Sequence, residues 1–142
     1  MKRIFLSLLF TCVASLSFAQ HFSPKDYQKR FEAYVTKEAG LTEEEAARFF
    51  PLYREMQEKQ RLYYHEMRQI THKTNTQHTS ESEFRKLNDK ICELNINTHK
   101  VEAAYLSKFR KIISDKKYFM VRKAEESFQH RELHRNQNGK KK

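Results

Sequence analysis

Tryptophan is absent from the 142 residues, and glycine, proline and cysteine occur only twice each. So little turn-forming material excludes a many-turned β sandwich or barrel. Two glycines cannot build a phosphate-cradling nucleotide loop, and neither a close-spaced cysteine metal motif nor a nucleophile with its base is present. No enzyme is expected from such a chain. Nor does any stretch alternate apolar and polar residues in the manner of a half-buried strand.

Charge, by contrast, is abundant. Charged residues make up 32% of the chain, and 28 Lys and Arg against 18 Asp and Glu leave a formal net charge of +10. That balance ordinarily points to an anionic partner, nucleic acid first. The N-terminus redirects it. Lys2 and Arg3 precede an almost uncharged apolar run over residues 4–16, and Ser17-Phe18-Ala19 places small residues where a signal peptidase cuts, which predicts a signal peptide over 1–19 and export. The run is too short for a bilayer span, which needs about 20 apolar residues, so no stable membrane insertion is expected after cleavage. Cys12 makes a poor lipidation site because Phe10 and Thr11 stand where small residues are wanted. Export makes nucleic acid a poor partner. Cleavage after Ala19 removes Lys2 and Arg3, which lowers the charge from +10 to +8, and 13 hydrophobic residues, which lowers the hydrophobic fraction from 38% to about a third. This is low for an isolated core and points to an elongated or oligomeric molecule. Cys92 is then the last cysteine, so no intrachain disulfide forms.

Caps and periodicity predict an all-α single domain over 20–135, followed by a basic disordered tail over 136–142. Ser23 and Pro24 open the first helix, Phe31, Tyr34 and Val35 form its apolar stripe, and Gly40 ends it after Ala39. The second begins with the capping box Thr42-Glu43-Glu44-Glu45, whose three carboxylates also favour the positive end of the helix dipole. From there positions 46, 49, 53, 56, 60, 63, 67 and 70 make a coiled-coil-like seam with one polar break at Gln60, and Pro51 should bend the helix. Residues 71–80 hold no apolar side chain and read as a loop, with Thr79 and Ser80 as candidate caps. A matching seam then runs over 84, 87, 91, 94, 98, 101, 105, 108 and 112. Two such helices of roughly 30 residues, each about 45 Å long, form an antiparallel central hairpin. A fourth helix starts at Ser114-Asp115, turns Tyr118, Phe119, Val121, Ala124 and Phe128 inward, and fades near Arg135.

Leu41-Thr42-Glu43-Glu44-Glu45 and Ile113-Ser114-Asp115-Lys116-Lys117 echo one another: an apolar residue, a hydroxyl cap and an acidic residue at a helix junction. The pattern resembles the Spy/CpxP family of small exported helical proteins, in which a Leu-Thr-x-x-Gln motif opens two of four helices. Glu45 in place of Gln preserves the reciprocal cap, whereas Lys117 cannot accept a hydrogen bond and loses it. The stretch from Ala39 to Tyr53 is similar to the variant of Bacteroides-type bacteria. The resemblance implies a periplasmic, cradle-like homodimer that acts as an ATP-independent chaperone, or holdase, for unfolded or misfolded envelope and outer-membrane proteins. The alternative is a stress or zinc sensor that modulates a membrane signalling partner.

Among individual residues, His130 and His134 share a helix face at a spacing of four and form a candidate zinc pair, although proper zinc sites use three or four ligands and solvated polar positions are the plainer reading. No other cofactor is expected. Cys92 reads as a buried, inert thiol rather than a redox centre. The aromatic and basic surplus is more informative. Phe49, Phe50, Tyr53, Arg61, Tyr64 and Arg68 are candidates for a client or dimer surface, with Phe50, Leu62 and Tyr64 off the main stripe; packing against helices one and four is the competing explanation.

Overall fold

Helix α1 (Pro24–Ala39) begins where Ser23 Oγ accepts the Asp26 amide and Pro24 occupies the first turn. It ends in a Schellman closure, with Gly40 in the left-handed region at φ 62° and the amides of Gly40 and Leu41 returning to Lys37 and Thr36. No atom crowds the Cβ position of Gly40, so its positive φ alone calls for glycine. The computed structural model describes residues 23–139, and the expected signal peptide over 1–19 lies outside them. Helices α2 (Glu43–Lys73), α3 (Glu81–Phe109) and α4 (Asp115–Gly139) complete an all-helical chain, with no strand among the described residues.

The hairpin of α2 and α3 is antiparallel, and the polar breaks in its two seams meet. Gln60 Nε2 donates to the Thr98 carbonyl at 3.3 Å, while Thr98, only 2% exposed, donates its hydroxyl to the Leu94 carbonyl. The Thr98 hydroxyl is satisfied within α3, so it is the half-buried Gln60 amide that depends on this register, as a polar seam position does in a coiled coil. Lys108 stands exposed at its seam position, with its ammonium 4.3 Å from the centre of the Tyr105 ring, a cation–π contact. Helix α1 packs antiparallel on α4, with Tyr27, Phe31 and Tyr34 gathered around Phe128 and Arg30 paired with Glu132.

All four helices feed one buried cluster. Its aromatic chain runs from Phe128 through Phe31, Tyr53 and Phe49 to Phe109, which is fully buried and also meets Tyr105 and Tyr118. Helix α2 contributes nothing to this cluster beyond Met56, and α3 nothing before Val101. The outer hairpin is therefore an arm held by its own two-helix seam.

Four expectations are corrected. Helix α2 continues through Thr71, His72 and Lys73, leaving a loop of 74–80, because Thr71 and Thr74 bond back to the Met67 and Ile70 carbonyls and satisfy the last turn without apolar residues. Phe119 is 68% exposed, one position off the inward stripe of Tyr118, Val121, Ala124 and Phe128. Helix α4 runs past Arg135 to Gly139, so residues 136–139 are helical and not a disordered tail. Cys92 is exposed, because the inward positions of α3 are its neighbours Ile91 and Leu94. Helix α2 is unbroken at Pro51.

Truncating the central ring should cost far more than truncating the exposed one. Phe109→Ala is expected to destabilise by about 3–5 kcal/mol and Phe119→Ala by less than about 0.5 kcal/mol, as read from urea unfolding followed by circular dichroism.

Candidate functional site

The two echoed junctions are built as caps and meet in space. Thr42 Oγ1 accepts the Glu45 amide at 3.1 Å, and Glu45 Oε2 accepts the Thr42 amide at 2.8 Å. At the second junction Ser114 Oγ accepts the Lys117 amide at 3.2 Å. Leu41 and Ile113 are both buried beneath these caps. Lys117, unable to close its own box, reaches across and donates to the same Glu45 oxygen at 2.5 Å. The two departures from the repeated motif are therefore partners. The hydrogen bond from Lys117, followed by that from the Thr42 amide, holds the Glu45 carboxyl below its ordinary range. A second capping box, Ser80 with Glu83, opens α3; sequence reasoning named Ser80 but not its acidic partner.

Beside this junction α2, α3 and α4 enclose a cleft of about 510 Å³. Tyr53 and Tyr118 point their hydroxyls into it, donating to Glu125 at 2.6 Å and to Glu102 at 3.1 Å. Burial, then the adjacent carboxylate, raises both phenol pKa values well above normal, so both remain donors at neutral pH. Arg122 lies 3.5 Å from Glu102, and Arg61 pairs with Glu58 at 2.8 Å.

Of the six residues expected on a client or dimer surface, only three are on the surface. Arg61, Tyr64 and Arg68 are exposed along one face of α2. Phe49, Phe50 and Tyr53 are 0%, 4% and 2% exposed and belong to the core, because α1, α3 and α4 pack around this segment of α2. The structure thus favours the packing explanation for those three. His130 and His134 are exposed on α4, and no group of three or more His, Cys, Asp or Glu side chains is arranged to hold a metal among the described residues.

Glu102 and Glu125 escaped sequence reasoning although a signal existed. Extending the alternating spacing through α4 as 118, 121, 125, 128 and 132 places Glu125 and Glu132 among Tyr118, Val121 and Phe128 on the inward face. No described helix is long and apolar enough to cross a membrane. No family model, curated protein or solved structure matches the chain.

Two pH effects follow from these groups. A lowered carboxyl pKa contributes stability above pH 4.5 that is lost as pH falls through the folded-state value. Glu45→Gln keeps a capping side chain but weakens the tie to Lys117, so it should lower the melting temperature at pH 7 and flatten the loss below pH 4.5. At alkaline pH the sign reverses: raised phenol pKa values contribute stability below pH 10.0 that is lost as pH rises through the folded-state values. In a spectrophotometric titration Tyr53 and Tyr118 should ionise last, together with unfolding, and a Tyr53→Phe, Tyr118→Phe protein should lack that late phase.

Proposed function

We propose that the chain is an exported binding protein of the Spy/CpxP type: a periplasmic holdase that captures unfolded envelope proteins without ATP and without catalysis. The observation that carries this reading is the outer hairpin. Its seam residues Tyr63, Met67, Ile70, Phe84, Leu87 and Ile91 are only half-buried. Leu62, Tyr64 and Ile96 stand 68%, 49% and 50% exposed. Exposed Arg61, Arg68, Arg85 and Lys86 surround these apolar groups. Such a surface draws chains in by charge and holds them by loose apolar contact, with long cationic stems covering apolar area between clients.

The half-buried seam also suits a second copy, since two helices alone cannot enclose it. In this reading the arms of a cradle-like homodimer complete one another and leave Leu62, Tyr64 and Ile96 for clients. The signal sequence and the two junction motifs support the same placement in the periplasm.

At stoichiometric amounts the purified mature protein should suppress aggregation of a chemically denatured client, followed by light scattering. A Leu62→Ser, Tyr64→Ser, Ile96→Ser protein should lose at least about half of that suppression, with a melting temperature close to the parent's because exposed positions contribute little to stability. Unchanged aggregation in the presence of the parent protein would overturn the reading.

A further inference from the structure

The cleft between α2, α3 and α4 is lined by two arginines and two glutamates, and among these four Glu125 alone has no ion-pair partner among the described residues. Its two arginines are committed, Arg61 to Glu58 and Arg122 to Glu102. Glu125 receives the Tyr53 hydroxyl, but no cation among the described residues lies within ion-pair distance of it. In a chain of net charge +10, where nearby lysines and arginines are plentiful, one carboxylate lining a cleft of about 510 Å³ has been left without a counter-ion. A partly desolvated carboxylate in that position favours a cation strongly.

The remaining walls define what kind of cation. Gln60 donates one of its two amide N–H groups to the Thr98 carbonyl, and its amide oxygen is an acceptor. Gln57 and Gln129 add further neutral amides, while Met56 and the ring of Tyr64 offer apolar and π surface. Amide oxygens beside a single carboxylate match the several N–H donors of an organic cation, and the thioether and ring match an aliphatic stem.

We propose that this cleft binds one alkyl ammonium or guanidinium group, with the charge against Glu125 and the stem along Met56 and Tyr64. Two sources present this chemistry: a Lys or Arg side chain of an extended polypeptide, and a free polyamine. The inference stands apart from the holdase reading, because binding here is measured without an aggregating client.

Isothermal titration of the mature protein with three probes tests it: a blocked Gly-Ser peptide carrying one central lysine, the same peptide with that lysine acetylated, and spermidine. Binding of the lysine peptide that acetylation abolishes identifies a side-chain source, and binding of spermidine alone a polyamine source; either supports the site. Glu125→Gln retains an acceptor for Tyr53 and should weaken the bound probe about tenfold or more. Gln129→Lys should do the same by a different route, since a lysine four residues after Glu125 supplies an internal counter-ion; it alters an exposed side chain and leaves the core intact. The proposal is overturned if neither cationic probe binds, if the acetylated peptide binds equally well, or if Gln129→Lys binds as tightly as the parent.

Discussion

Phe109 is the ring on which the packing of the other helices depends. It closes α3, is fully buried, and meets Phe49 at 4.8 Å, Tyr118 at 5.4 Å, Tyr105 at 6.1 Å and Tyr53 at 6.2 Å between ring centres. Through Tyr53 the contact passes to Phe31 and Phe128, so α1 and α4 are held by the same aromatic chain that joins α2 to α3. Aromatic pairs of this geometry contribute about 0.5–1.5 kcal/mol each beyond the apolar area they bury. With no tryptophan and a modest hydrophobic fraction, concentrating the rings at one end of the hairpin is what allows the other end to extend as an arm.

The junctions stabilise that cluster from outside. Glu45 Oε2 closes its own helix cap and receives Lys117 from the second junction, so a single carboxylate oxygen ties the start of α2 to the start of α4. Lys117 appears in the sequence as a defect, a motif copy whose reciprocal cap is lost. In the fold it exchanges a local hydrogen bond for an ion pair between elements 72 residues apart. The same logic governs Gln60, which breaks an apolar seam when viewed on its own helix and in the fold donates across the hairpin to the Thr98 carbonyl, while the Thr98 hydroxyl is satisfied within α3.

Much of the fold was legible because its signals are local. Ser23, Gly40, Thr42, Ser80 and Ser114 act on amides or carbonyls within a few residues, and each marks the helix end expected of it. The alternating seams of α2 and α3 were legible for the same reason, since a repeated spacing on one helix implies one buried face. What failed was the assignment of neighbours to faces. Phe49, Phe50 and Tyr53 are apolar enough for an interface or a core, and only the docking of α1, α3 and α4 around that segment made them core. Glu102 and Glu125 stayed hidden because a carboxylate on an inward face gains meaning only from the tyrosine that another helix brings to it.

By itself the sequence determined that the chain is all-helical, where its helices start, and that α2 and α3 pair along matched seams, because caps and periodicity operate over one to a few turns. Tertiary structure decided which aromatic residues are core and which remain on the arm. It also decided that Glu45 and Lys117 are partners, and that Glu125 faces a cleft with no ion-pair partner among the described residues. Those outcomes depend on distances between helices, and no spacing along a single helix contains them.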